Sequence, residues 1–131
     1  MGTGYKGGTT VFHGLEDNLP SIRADYPTND GLFGNIGQSD NINIRNITSD
    51  SPELTAKDFY DKIAIGGKEK MLYYKDSTIK GYQTRMSDGT IINYRIKSSS
   101  DGSPAVDIDI QFSSKHGDIK SQKIHFVKRR Q

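Results

Sequence analysis

Cysteine is absent from the 131-residue chain. Without a thiol there is no disulfide framework, no thiolate zinc or iron–sulfur site and no cysteine nucleophile. Tryptophan is absent as well, proline occurs four times, and apolar residues make up only 32%. Mean hydropathy is −0.71. A chain of this length and composition builds one thin core and leaves long stretches outside it. No apolar run approaches the ~20 residues of a membrane-spanning helix, so a transmembrane helix is excluded and no membrane partner is expected. The N-terminus lacks the apolar stretch of a signal peptide. Lys6 stands where a myristoylation signal needs Ser or Thr. The opening Met1-Gly2-Thr3-Gly4 reads as the start of a fragment of something larger.

The charge that is present is unevenly spread. The formal net charge is +2, yet residues 1–50 carry three basic against six acidic residues, and the remainder fifteen against ten. From Lys115 onward only Asp118 opposes six cations among Lys115, Lys120, Lys123, Lys128, Arg129 and Arg130. A basic C-terminal half suits a polyanion partner, and an ordinary solvated face has the same composition.

Residues 1–50 read as a loop-rich arm, because Gly, Asn, Asp, Ser and Thr interrupt every short apolar run. Short strands are expected at 9–13 and 41–47, the second from alternating Ile42 and Ile44. Residues 51–131 read as an α+β domain. Thr55 and Asp58 have capping-box spacing, Leu54 and Phe59 staple spacing, and Phe59 and Ile63 share a face. Gly66-Gly67 ends this short helix. Strands are expected at 71–75, 82–86, 90–97, 105–112 and 119–128, with Ser87-Asp88-Gly89 as a hairpin turn. The fold expected is the short helix packed on a twisted antiparallel sheet of four to five strands.

Alternation in the last three strands assigns residues to two faces. Ile92, Tyr94, Ile96, Val106, Ile108, Ile110, Phe112, Ile124 and Phe126 point inward. The other wall collects Asn93, Arg95, Lys97, Asp107, Asp109, Lys123 and His125. Histidine moves protons near neutral pH, and arginine presents a planar fork to phosphate oxygens. Such a wall suits attack on a phosphodiester, and a sheet face laced with Arg–Asp and Lys–Asp pairs is the plain structural alternative. The loop Ser98-Ser99-Ser100-Asp101-Gly102-Ser103-Pro104 exposes amides and hydroxyls able to cradle an anion. His13 and His116 read as surface histidines, no His pair has zinc spacing, and Asp107-x-Asp109 is a weak divalent-cation signal.

Three segments together resemble a known family: 58–63 with Gly66-Gly67; Asp88-Gly89-Thr90 through Tyr94-Arg95 to the Ser-rich loop and Asp107-Ile108; and Ile119 to Phe126. They resemble the C-terminal toxin domains of LXG-type polymorphic toxins of Gram-positive bacteria, over roughly residues 55–128. Such domains are grouped with the barnase, EndoU, colicin and RelE-like nucleases, which have a helix followed by a twisted antiparallel sheet. The resemblance implies an interbacterial nuclease toxin, exported by a type VII system within a larger effector. It would act in the cytoplasm of the target cell and be neutralised by a cognate immunity protein, here expected to be acidic. The catalytic candidates it implies are His125, Arg95, Ser98, Ser103 and Tyr60. Lys62, Lys68, Lys97, Lys123 and Asp101 are the candidates for holding substrate. One departure is Ile65, where the pattern leads us to expect a polar or aromatic residue. It implies either a member that manages without one or an attenuated variant.

Two mechanisms follow. A metal-independent RNase, the favoured one, uses His125 on the ribose 2′-OH and Arg95 on the phosphorane, with no cofactor. A DNase needs a water activated by Mg²⁺ or another divalent cation, with Asp107 and Asp109 as ligands, joined by His125. The rival from another class is a non-catalytic module that docks nucleic acid or a protein through the same basic face. The free domain is expected to be a monomer.

Overall fold

The computed structural model describes residues 14–37, 40–98, 102–110 and 118–129. The protein is α+β, with two helices among the described residues, α1 (Leu15–Asp25) and α2 (Pro52–Ile63), and a mostly antiparallel sheet. β1 (Thr28–Asn29) and β2 (Leu32–Phe33) form a small hairpin. The main sheet has seven strands: β3 (Asn35–Ile36), β4 (Ile44–Ser49), β5 (Lys68–Tyr73), β6 (Ile79–Arg85), β7 (Ile91–Arg95), β8 (Ala105–Asp109) and β9 (Gln122–Lys128). Their order is β3-β4-β9-β8-β7-β6-β5, with β4 and β9 parallel and every other pair antiparallel. This is larger than the four to five strands expected, because β4 and β3 extend the sheet beyond β9. Among the described residues no helix is long and apolar enough to cross a membrane.

α2 buries Ala56, Phe59, Tyr60 and Ile63, the i, i+3, i+4, i+7 stripe of an amphipathic helix. Its start differs from the expected capping box: the helix begins four residues earlier, with Ser51 rather than Thr55 at the cap and Pro52, a favoured first-turn residue, next. The Thr55 hydroxyl instead meets Ser49 Oγ at 2.6 Å, and Leu54 is exposed rather than stapled to Phe59. Gly66 closes the end with φ +81°, as expected of the glycine pair. Phe59 is the centre of the core, its ring 5.0–5.6 Å from those of Tyr26, Phe33 and Phe126.

α1 lies where only a loop-rich arm was expected. Leu15, Asn18, Leu19 and Ile22 form its buried stripe, with Pro20 inside the helix. The Asp17 carboxylate accepts the Gly14 N–H at 2.8 Å, and Asp88 of the β6–β7 turn accepts that of Leu15 at 2.9 Å. Asn18 Nδ2 donates to the carbonyls of Ile63 and Ile65, at 2.8 and 2.9 Å, so α1 satisfies the C-terminal end of α2. In β4 the faces are the reverse of those expected: Ile42 is exposed before the strand begins, and Arg45 and Ser49 are the buried residues. The short strand expected at 9–13, and Phe112, lie outside the described residues.

Candidate functional site

The core needs only one face of the main sheet. Ile92, Tyr94, Val106, Ile108, Ile124 and Phe126 point toward α2 and are buried, as their alternation requires. Ile96, expected inward, falls just past β7 and is exposed. The opposite face carries the polar set. Cross-strand register aligns Asn46 with His125, His125 with Ala105, Ala105 with Arg95, and Arg95 with Gly81. At about 4.8 Å per strand, His125 and Arg95 stand roughly 10 Å apart with only a methyl group between them. Gly81 could not carry a larger side chain, since a Cβ there would lie 2.0 Å from the Tyr94 carbonyl oxygen. Arg95 therefore rises between the two smallest residues of its row. The adjacent row runs Lys123, Asp107, Asn93, Gln83. Gln83 Nε2 donates to Asn93 Oδ1 at 2.8 Å.

Asp107 is the electrostatic centre of this face. Burial pushes its carboxyl above the usual range, while Lys123, Arg95 and His125 draw it back and Asp109 adds a small rise. His125 is only 6% exposed. Its Nδ1 lies 3.0 Å from Ser103 Oγ. The loop before β8 delivers that hydroxyl: Ser98 N–H donates to the Ser103 carbonyl at 2.7 Å and Gly102 N–H to the Ser98 carbonyl at 3.1 Å. Gly102 adopts φ +77° to close this turn. The Pro104 carbonyl then accepts Phe126 N–H at 2.9 Å, which fastens the loop to β9.

Beside Ser103 a cleft of about 750 Å³ runs between residues 50–54 at the start of α2, residues 96–97 and 102–104, and the end of β9. Lys97 lines it and is exposed; Lys128, across from it, donates to the Asp50 carbonyl at 3.1 Å. A second cleft, of about 480 Å³ between β1, β3 and β4, contains none of the candidates.

The structure thus brings together Arg95, Ser103, Lys123, His125, Asp107 and Asp109, with Lys97 at the rim and Ser98 buried at the base of the loop. It does not bring Tyr60, Lys62 or Lys68 to them. Tyr60 is buried on the opposite face of the sheet, its hydroxyl bonded to Glu69 at 2.9 Å and to Thr84 at 2.5 Å. Burial, with Glu69 adding to it, raises that hydroxyl well above the ordinary tyrosine range, so it stays protonated. Lys62 is held between Asp25 and Asp58 on the helical side. Lys68 opens the edge strand β5, four strands from β9. Ile65 leads into that edge, at the far end of α2 from the cleft. Asp101, His13 and His116 lie outside the described residues.

Asp107 and Asp109 gain no third donor: among the described residues no group of three His, Asp or Glu side chains could hold a metal ion. Sequence reading missed Asn46, Gln83 and Arg85 on this face. Asn46 reaches it only through the parallel β4–β9 pairing, which no local pattern announces. No family model matches this chain, and no curated protein or solved structure does either.

Proposed function

We propose that the domain is a nuclease toxin that cleaves phosphodiester bonds in target-cell nucleic acid, RNA before DNA, without a metal. The observation that carries the reading is the row His125–Ala105–Arg95, with Ser103 held against the histidine. Ala105 is itself buried and spaces the two side chains, so a phosphate would approach from the solvent side of the half-buried Arg95, with the imidazole across the alanine from it. His125 takes the proton of the ribose 2′-OH, whose oxygen attacks the neighbouring phosphorus. The 5′-oxygen leaves with a proton returned to it, and a 2′,3′-cyclic phosphate remains. Arg95 offsets the charge that grows on the non-bridging oxygens, and Ser103 orients the ring. Lys123 and Lys97 hold flanking phosphates.

The exposed cations of this face also favour an acidic immunity protein, whose association charge attraction would accelerate. Export within a larger effector and action in the target cytoplasm belong to the same reading.

The test is incubation of the domain with total RNA and with plasmid DNA at matched salt, each in EDTA and in Mg²⁺. RNA cut in EDTA is the expected result. Arg95→Ala then lowers the rate about 10²–10³-fold and His125→Gln about 10²–10⁴-fold, with thermal melts confirming that each variant folds. DNA cut only with Mg²⁺ would move the chemistry to Asp107 and Asp109. Salt-sensitive binding of both nucleic acids without cleavage would leave the binding module.

A further inference from the structure

The outer face continues past Arg95 to the far edge of the sheet, where its last two strands collect cations that the cleavage row does not use. Cross-strand register sets Lys68 of β5 directly opposite Arg85 of β6, and Lys70 opposite Gln83. Gln83 bonds in turn to Asn93, on the same face as Arg95 and Asp107. By the period of two, Lys68, Lys70 and Arg85 therefore share that face. Glu69, between the two lysines in sequence, turns to the core side, where its carboxylate accepts the Tyr60 hydroxyl. Lys68, Lys70 and Arg85 are all exposed. Among the described residues none of the three joins an ion pair. Along its row, Arg85 meets a carboxylate only at Asp109, two strands away beyond Ile91.

Like charges set directly opposite one another weaken a sheet. Lys68 stands against Arg85, with Lys70 one step along the same face, and nothing of opposite sign lies between them. At about 3.3 Å per residue and about 4.8 Å per strand, the three backbone positions fall within roughly 8 Å. The core gains nothing from this arrangement, since β5 buries none of its residues. A shared anion turns the repulsion into attraction, and phosphate oxygens suit both the planar guanidinium and the ammonium groups. The cluster is also continuous with the cleavage row. Only the uncharged Gln83, Asn93 and Gly81 stand between it and Arg95. From Arg85 to His125 is three strand steps across and about four residues along, roughly 20 Å.

We propose that Lys68, Lys70 and Arg85 form a second phosphate-binding subsite, which holds the RNA strand several nucleotides from the bond that is cut. That the strand is a substrate rests on the nuclease reading; its capture by the cluster does not. The outward residues of β5, β6 and β7 include no aromatic ring on which a base could stack. The subsite therefore reads phosphates rather than bases, and its grip is indifferent to sequence and steep in salt.

Fluorescence anisotropy of the full chain with labelled 2′-O-methyl oligouridylates of two and of eight nucleotides tests it. The methyl group blocks the attacking hydroxyl, so binding is read without cleavage. The octanucleotide is expected to bind about tenfold tighter than the dinucleotide or better, with a salt slope steeper by about two. Lys70→Ala and Arg85→Ala should each take about 0.7 from that slope, for the octanucleotide alone. Arg85→Glu sets an opposite charge before Lys68, so it should remove the octanucleotide's advantage while the melting temperature holds or rises. That combination separates lost binding from damage to the fold. Equal binding of the two lengths overturns the proposal, as does an octanucleotide indifferent to Arg85→Glu. Poly-glutamate of matched charge binding as tightly as the octanucleotide would give the cluster to an acidic protein and overturn it too. A chain that captures the octanucleotide through the cluster yet cuts no RNA upholds the subsite and removes the nuclease reading alone. One that cuts RNA without any preference for the longer strand removes the subsite alone.

Discussion

Gln122 ties the N-terminal third of the chain to the sheet, and removing its carboxamide should be costly. It opens β9 on the core-facing side and is buried. Its Oε1 accepts the Phe33 N–H at 2.8 Å, and its Nε2 donates to the carbonyls of Gly31 at 2.9 Å and Lys120 at 2.7 Å. Gln122→Ala leaves the buried Phe33 N–H without that partner, a loss of about 1–3 kcal/mol, and removes two further bonds worth about 0.5–1.5 kcal/mol each. The Gly31 carbonyl keeps the Lys120 N–H at 3.2 Å, which trims the total. The net expectation is a loss of about 3 kcal/mol, or roughly 12 °C in Tm for a domain of this size, read by urea and thermal denaturation. Gln122→Glu is the sharper probe. It keeps the acceptor for Phe33 but turns an anion toward two carbonyl oxygens, so its folded-state pKa rises above the unfolded value. The stability of that variant is then retained below about pH 4 and falls as pH increases through the folded pKa. A loss under about 1 kcal/mol for Gln122→Ala, or a Gln122→Glu variant indifferent to pH between 4 and 7, would refute this account of how the hairpin is held.

Asp88 accepts the Leu15 and Thr90 N–H groups, both at 2.9 Å, so Asp88→Ala uncaps α1 and loosens the β6–β7 turn together. The expected loss is about 1–2 kcal/mol, measured by thermal melting, with Asp88→Asn intermediate. Asp107→Asn should stabilise the fold at neutral pH, because burial is the largest cause acting on that carboxyl and holds its pKa up. A raised carboxyl favours folding at low pH and works against it once ionised, so the gain should fade as pH falls below the unfolded value near 4. A variant less stable than wild type at pH 7 would show that Lys123 and Arg95 outweigh burial. Ile65→His is expected to leave cleavage within about twofold and stability within about 0.5 kcal/mol. Its side chain is half-exposed at the β5 edge and touches no part of the His125 row, so a large gain in cleavage would contradict the site as placed here.

Local patterns carried the C-terminal half of the fold. Val106 and Ile108 against Asp107 and Asp109, or Ile124 and Phe126 against Lys123 and His125, announce both a strand and its two faces. α1 was hidden by its composition rather than by a lack of pattern. Leu15, Leu19 and Ile22 keep helical spacing, but Pro20 and the polar residues between them suppress the signal, and the cap at Leu15 comes from Asp88, 73 residues away. β4 was hidden for a different reason. Its core side carries Arg45 and Ser49 on either side of Ile47, so the alternation of Ile42 and Ile44 marks the wrong face. The buried guanidinium finds carbonyls of Ile42 and Gly34 at 3.4 and 3.0 Å. No pattern read within β4 alone anticipates those partners. The site followed the same division. Arg95, Asp107, Lys123 and His125 shared a legible face, whereas Tyr60 and Lys62 entered only with the family resemblance and turn out to serve the core and the α1–α2 contact.

The outer face is also where stability and composition part company. Ile92, Val106, Ile108, Ile124 and Phe126 already fill the side covered by α2, so nothing in the core requires ionisable groups at 107 and 125. A solvated sheet face tolerates such groups at little cost, but Asp107 is half-buried and His125 almost wholly buried. Withdrawing a carboxylate from water is unfavourable unless its neighbours compensate. Here the compensation is incomplete, since burial still outweighs Lys123, Arg95 and His125. A threonine at 107 or a valine at 125 would suit a strand better on propensity alone. Natural sequences break such local rules chiefly where chemistry requires it. The unpaid desolvation around Asp107, with His125 steadied by Ser103 and Arg95 set between alanine and glycine, is the physical ground for reading this face as the working surface of the domain.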